Sequence, residues 1–431
     1  MRREFLAALV VGAAVGLLAA GCGGDGDDDE AAPQTPSFEL KVGNLVSFTG
    51  DLSPFGAPID QAARIAAALA NQSAERVGLG ASVRIVASED TQTDSTAAVE
   101  GATKLVQVDG VDVIMGALAS ANTIPVAESV AIPNAVVQIS PASTSPAITQ
   151  LEDDGFVWRT PPSDALQGRV LARAVADAFG SDATINVGTR NDAYGTALIG
   201  AFVSAWEDAG GTIGASVRWN PDAATFDSEA ARLVSGNPDG WVVIDFPETW
   251  AKVGPALVRT GRWDPARTFT ADGLRDNSLP KEVGRRATNR MRGSAPSSEG
   301  APAGDAFDRV FKERAPAGVE RQTFDAQAFD AVMVAFLAAV RGGTADPATI
   351  SDNLQAVSGP PGEKFTFEQL DEALRALMEG DQIDYEGASG PINFDDRGDP
   401  TSAIYEVWRF EGGKIETIRS FPFAAEAEAS D

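Results

Sequence analysis

The 431-residue sequence contains no histidine and a single cysteine, Cys22. The first absence removes Ser-His-Asp and Cys-His catalysis, His-ligated zinc and the usual proton shuttle of neutral pH. The second means that no disulfide forms within the chain. With Cys22 so near the N-terminus, no thiol is left for the folded part. Positive charge is also scarce: 34 Lys and Arg face 62 Asp and Glu, a formal charge of −28. Phosphate recognition needs clustered Lys and Arg, so nucleic acid is not an expected partner. The charge instead favours solubility. No GxxxxGK[ST] loop is present, and no GxGxxG opens a helix after a strand. Carboxylates are plentiful, so inventory alone does not exclude a carboxylate-pair hydrolase. An enzyme would nonetheless be built from a reduced toolkit, and no cofactor is implied.

What is present suits a globular protein of two moderate domains, with 44% apolar and 22% charged residues. Arg2 and Arg3 precede an apolar run from Phe5 to Ala20, short for a spanning helix and suited to a cleaved export signal. Ala19-Ala20-Gly21-Cys22 resembles the lipobox of bacterial lipoproteins, departing at Ala19 where leucine is usual. That resemblance implies a lipidated Cys22 as the new N-terminus, with two acyl chains giving stable membrane attachment. The arginine pair resembles a twin-arginine signal and also suits the general export route, so both stay open. Residues 1–21 are thus expected to be a signal peptide. The acidic, Pro-containing stretch at 22–37 reads as a flexible tether, and 424–431 as a frayed end.

From Leu40 the chain alternates β-rich and amphipathic segments. Strands are expected at 40–47, 83–89, 111–116 and 135–139, with helices at 59–74, 93–108 and 122–131. The rhythm restarts with helices at 165–179, 194–209 and 249–260, and strands at 184–189, 213–219, 241–246 and 268–271. This is the pattern of two doubly wound α/β units, joined near Arg159 to Pro162. The last third is more helical, at 305–314, 324–341, 347–356 and 367–378. It closes with strands at 403–410 and 414–420 around a Gly412-Gly413 turn. The run Asp395 to Asp399 lacks calcium-loop spacing and reads as a solvated turn.

Six segments together resemble the type I periplasmic binding proteins of ABC transporters, in the leucine/isoleucine/valine-binding branch. They are Val42-Gly43 leading to Thr49-Gly50 and Phe55-Gly56; Val113-Ile114-Met115-Gly116 followed by Ser120; and Ile139 to Pro146 (ISPASTSP). Then come Asp192-Ala193-Tyr194-Gly195 opening a helix that ends at Gly210-Gly211; Asp272-Gly273; and Gly387 to Ile392 with Phe394, Asp395 and Gly398. The resemblance spans about residues 40 to 420. It implies an α/β fold of two doubly wound parallel-sheet lobes joined by a three-strand hinge. Lobe one would be 38–159 plus 297–389, and lobe two 160–296 plus 390–423. The ligand would sit beyond the carboxyl ends of the strands, between the lobes.

Site residues follow from the same resemblance. Ser120, before a helix expected to begin near Asn122, would hold a ligand carboxylate with nearby N–H groups. Thr144 takes the family's position for a ligand hydroxyl, and Ala142 would add backbone groups. Tyr194 matches a ligand-touching aromatic on the closing face, and Asp272 an acid that pairs with the ligand's ammonium. Phe55 and Phe246 match covering aromatics, although Asp245-Phe246-Pro247-Glu248 departs from the usual pattern there. The expected function is non-enzymatic: an extracytoplasmic, lipid-anchored receptor that binds an amino acid or similar small solute and delivers it to an ABC permease. The alternatives are a sensory protein on the same fold, or a transport receptor for amides, urea or aromatic and other carboxylic acids.

Overall fold

The computed structural model describes residues 36–424. The expected signal segment, Cys22, nearly all of the tether and the end from 425 onward lie outside the described residues.

The chain begins with β1 (Glu39–Val46), α1 (Ser53–Val77), β2 (Ser82–Asp90), α2 (Ser95–Gln107), β3 (Val113–Gly116), α3 (Ser120–Val126), β4 (Val137–Ser140), α4 (Pro146–Thr149) and β5 (Val157–Arg159). Its five strands form one sheet in the order β2-β1-β3-β4-β5, every pair parallel. Parallel sheets are covered on both faces, so central strands read as continuous apolar runs. β3 and β4 are buried at every residue. α1 covers one face through Ile59, Ala62, Ala66, Ala70 and Ala74, three or four residues apart. α2 covers the other, setting Ala98, Ala102 and Leu105 against Leu45 and Ile114.

The second unit comprises α5 (Asp164–Phe179), β6 (Thr184–Arg190), α6 (Ala193–Asp208), β7 (Thr212–Trp219), α7 (Asp227–Leu233), β8 (Gly240–Ile244), α8 (Pro247–Arg259), β9 (Thr268–Thr270), α9 (Leu279–Glu282) and β10 (Arg292–Pro296). The chain then runs through α10 (Gly304–Arg314), α11 (Asp325–Gly342), α12 (Pro347–Asn353), β11 (Glu363–Phe365), α13 (Leu370–Glu379), β12 (Ile383–Gly387) and β13 (Gly390–Pro391). It closes with the hairpin β14 (Ser402–Glu411) and β15 (Lys414–Ala424). The second sheet has seven strands, β15-β14-β10-β9-β8-β6-β7, in which β14 and β15 form an antiparallel edge on a parallel set. Gly412 and Gly413 make the hairpin turn with φ of 64° and 89°. α11 is buried from Asp325 to Val340 and packs, with α10 and α13, on α1 of the first unit. The fold is therefore α/β with two doubly wound parallel-sheet lobes. Segments near 160–163, 297–303 and 391–401 carry the chain across.

Two of these crossings are pinned by buried carboxylates. Arg159 at the end of β5 donates Nε and Nη2 to Asp399, both at 2.6 Å, and Nη1 to the Ser145 carbonyl at 2.8 Å. The 395–399 turn is solvated at Asp396 and Arg397 as expected, but its end is not: Asp399 is buried under a charge it neutralises. Asp330 of α11 accepts the Tyr385 hydroxyl, the N–H groups of Ala388 and Ser389 and the Ser389 hydroxyl, at 3.0, 2.8, 2.8 and 2.6 Å. Other expectations shift. The helix expected at 122–131 starts at Ser120 and, past Pro125, becomes a π turn over Ala127–Ala131, because proline supplies no donor to an α ladder. β5, β10, α7 and the small sheet β11-β12-β13 were not legible. β10 reads RGSAP, a poor strand by composition, and is a strand because β9 and β14 flank it.

Candidate functional site

Between the two units lies a narrow slot at the carboxyl ends of the strands. Its volume is about 340 Å³, part of it open to solvent. Leu52, Phe55, Leu118, Ser120 and Ala142 line it from the first unit, Tyr194, Phe246, Asp272 and Gly273 from the second, and Phe324 from the start of α11. Six of the seven residues singled out in the sequence therefore meet around one slot. Thr144 does not line it; it is buried, and its hydroxyl has no hydrogen-bond partner among the described residues.

On the first-unit wall, Ser120 opens α3 with Ala119 as its N-cap. Its Oγ accepts the N–H of Ser145 at 3.2 Å, which turns the hydroxyl proton free for another acceptor. The N–H groups of Asn122 and Thr123, expected to be open to a ligand, instead return to the Ala119 carbonyl, both at 2.9 Å. The earlier helix start explains this: the first turn closes over its own donors.

The second-unit wall is acidic. Asp272 follows β9 directly, and its Oδ1 accepts Gln167 Nε2 at 2.6 Å and the Tyr194 hydroxyl at 3.1 Å. The Tyr194 oxygen in turn accepts the N–H of Gly273 at 3.2 Å. Burial pushes the Asp272 carboxyl up to about 6, while its two donors pull the other way. Burial, with Asp272 and Asp164 nearby, pushes the Tyr194 phenol well above its usual range, so it stays a donor. Tyr194 stacks on Phe246 with centroids 4.9 Å apart and 13° between the planes. Gly273 is required here, since a Cβ would stand 2.6 Å from the Asp245 carbonyl oxygen.

Sequence reasoning missed three participants. Asp164, the first residue of α5, is fully buried; the Thr144 hydroxyl lies close enough to favour its charged form, but neither carboxylate oxygen makes a well-aligned hydrogen bond among the described residues. Burial and then the Asp272 charge hold it well above the carboxylate range; Thr144 and Arg159 oppose them. In sequence it is an ordinary acid in a helix first turn, and only tertiary structure sets it near a second acid. Gln167, one turn on, orients Asp272. Phe324 closes the slot from a left-handed conformation, φ 72°, uncommon for a bulky residue and held by the hydrogen bonds of Thr323 to Arg275. Among the described residues no group of three or more acidic, His or Cys side chains is arranged to hold a metal ion. The slot offers a hydroxyl on one wall, one buried acid, Asp272, on the other and aromatic surface between, with Asp164 buried near Asp272 but outside the lining. That chemistry suits binding a small zwitterion or flat acid rather than transforming it.

A fold of two doubly wound sheets with its polar groups facing across one slot defines a solute-binding protein, and the comparisons agree. Residues 39–408 match the family model described as periplasmic binding protein, so the chain belongs to that family. Within it, the chain is a type I protein of the leucine/isoleucine/valine-binding branch. It is 27% identical over 384 residues to the chemotactic signal transduction system substrate-binding protein BasB of Halobacterium salinarum, covering 88% of each chain. It is 24% identical over 380 residues to Leu/Ile/Val-binding protein homolog 1 of Brucella abortus, covering 87% of this chain and 91% of that one. Among solved structures it resembles the leucine-binding protein LivK of Thermotoga maritima, with TM-score 0.71, 23% identity, and coverage of 89% and 98%. It also resembles a solute-binding protein of an ABC transporter from R. palustris, solved with benzoate, with TM-score 0.70, 19% identity, and coverage of 90% and 98%. The family and fold are those of extracytoplasmic solute-binding proteins rather than enzymes.

Proposed function

We propose that this protein is the lipid-anchored receptor of an ABC importer, held to the membrane through Cys22, and that it captures an amino acid between its lobes. Lobe one would comprise 38–159 and 297–389, and lobe two 160–296 and 390–423. The observation that carries the ligand class is the buried acid Asp272 facing the Ser120 hydroxyl across the slot, with a second buried acid, Asp164, near it but outside the lining. A buried carboxylate without donors is costly unless a cation joins it. An α-ammonium supplies both charge and hydrogen bonds, Ser120 takes the carboxylate, and Phe55, Tyr194, Phe246 and Phe324 enclose the side chain. Ala142 would add its backbone groups, and Thr144, beside Asp164 and outside the lining, would support that wall without touching the ligand. Three or four charge-assisted hydrogen bonds at roughly 1.5–3 kcal/mol each support micromolar affinity after the costs of association.

A second reading, an aromatic acid, is favoured by the ring-lined slot and by the benzoate held by a neighbour of the same fold. Proton linkage separates the two. An ammonium ligand needs Asp272 ionised, so its affinity falls as pH drops through about 6, approaching tenfold per unit. A benzoate-type ligand is held by the protonated acid, so the same drop tightens it. Calorimetric titration with a panel of amino acids and hydroxybenzoates at about pH 5 and pH 7.5 reads this directly. Tighter binding of an amino acid at the lower pH would sink the amino-acid assignment. A sensing role, supported by the name of the Halobacterium relative, is tested separately: deleting the protein should abolish uptake of its solute rather than taxis toward it.

A further inference from the structure

Arg190 ends β6, is buried, and holds carboxylates from both sides of the slot. Its Nη1 lies 2.8 Å from Asp51 Oδ2 and 3.7 Å from Asp245 Oδ1, and its Nε donates to Asp192. Asp51 belongs to the turn between β1 and α1, four residues before Phe55. It also accepts the Thr249 hydroxyl of α8 at 2.8 Å. One carboxylate of the first unit thus reaches two donors of the second. The Arg190 guanidinium lies 3.8 Å from the centroid of Phe246, which stacks on Tyr194, which donates to Asp272. A single column of contacts runs Asp51, Arg190, Phe246, Tyr194, Asp272.

We propose that Asp51 and Arg190 form an inter-lobe latch, and that Arg190 is a positioning residue linking closure to the aromatic pair that faces the ligand. The proposal deepens the binding reading above and rests on it for the ligand arm of its test. Burial disfavours the Arg190 charge, but Asp192, Asp245 and Asp51 outweigh it and raise the guanidinium's affinity for its proton. Asp192 and Asp245 stand on Arg190's own side. If the lobes part, its charge is still compensated, and Asp51, whose side chain keeps 19% exposure even here, regains water. The contact is therefore reversible. The Arg159–Asp399 pair is not, because parting it would strand a fully buried guanidinium. A contact that already draws the lobes together without a ligand, and must break before a bound ligand leaves, acts chiefly on the dissociation rate. The cation over Phe246 fixes that ring's plane, so the residue that receives Asp51 also steadies the ring that covers the ligand.

The test uses the full chain and the variants Asp51→Asn and Thr249→Val. Asp51→Asn keeps the shape and removes the charge. Small-angle scattering without added solute should give a larger radius of gyration for Asp51→Asn than for wild type. Salt near about 1 M should expand the wild type towards it and leave the variant unchanged, since a screened latch and a neutral one are alike. Stopped-flow tryptophan fluorescence with L-leucine should show dissociation about 10- to 100-fold faster in Asp51→Asn, with association within about threefold. Thr249→Val should shift both readouts the same way by less. An unchanged radius of gyration at both salt concentrations, or an unchanged dissociation rate, overturns the latch. Failure of leucine and every other amino acid to bind wild type sinks the binding reading instead, and the scattering arm still decides the latch.

Discussion

At the scale of residues, Asp272 in the slot wall and Asp164 buried near it divide binding from stability. Asp272 has two well-aligned donors, and Asp164 has none, with only the Thr144 hydroxyl near it among the described residues. Asp272→Asn should weaken an amino-acid ligand by about 2–4 kcal/mol, roughly 30- to 1000-fold in Kd, because it leaves a buried ammonium without its counter-charge. Ser120→Ala should cost about 1–2 kcal/mol, the loss of one charge-assisted hydrogen bond. Calorimetry on both variants checks the order. Asp164→Asn is expected to move stability and binding in opposite directions. Burial and Asp272 both favour its protonated form, so the variant should gain stability relative to wild type as pH rises and the wild-type carboxyl is forced to ionise. The gain should shrink as the wild-type carboxyl takes up its proton at lower pH, while amino-acid affinity falls at every pH. Urea unfolding of wild type and variant across that range would detect a gain that fails to shrink, and such a result would mean that Asp164 is neutral throughout.

Among the elements, the crossings carry more than their composition suggests. The segment from Gly387 to Ser389 is held by one side chain, Asp330, reaching out of the buried helix α11. Asp330→Ala would leave two backbone N–H groups, the Ser389 hydroxyl and the Tyr385 hydroxyl unpaired. A cost of about 3–5 kcal/mol in urea unfolding is expected. Gly387→Ala should be nearly as harmful, since its Cβ would stand 2.5 Å from Asp330 Oδ2. Asp399→Asn removes the counter-charge of Arg159, which is fully buried, and should cost about 3–5 kcal/mol. If these variants unfold at the wild-type midpoint, the crossings are not pinned by these carboxylates.

For the whole molecule, pH acts on both folding and function through the same groups. Asp272 and Asp330 each have a folded value near 6 against an ordinary value of 3.8, raised by burial. The folded state therefore binds protons more tightly than the unfolded one. The stability they contribute is full below about pH 4 and is lost as pH rises through 6. The urea midpoint should accordingly rise by a few kcal/mol of stability between pH 7 and pH 5, helped by partial neutralisation of the charge of −28. Asp330→Asn and Asp272→Asn should each flatten that rise. A bound amino acid should stabilise the fold more at pH 7 than at pH 5, the reverse of the free protein. Membrane attachment is tested apart from all of this: Cys22→Ser should release the protein from the membrane fraction, and retention after a salt wash would refute the anchor.

The sequence by itself determined the architecture and most of the slot. Period-2 and period-3.6 patterns depend only on near neighbours, so the two α/β units and the Gly412-Gly413 hairpin were legible from the chain, while Phe55, Ser120, Ala142, Tyr194, Phe246 and Asp272 were singled out through the resemblance of their short motifs to the family. The tertiary structure decided what depends on distant partners. β10 is a strand because its neighbours bond to it, not because RGSAP prefers to be one. Asp399 is buried because Arg159, 240 residues earlier, comes to meet it. Asp164 looks like any acid at a helix start until α5 folds it towards Asp272. Thr144 stands behind the slot rather than in its wall, a matter of which way one loop turns. Burial and charge pairing are sums over the whole packed interior, and no local pattern along the chain encodes them.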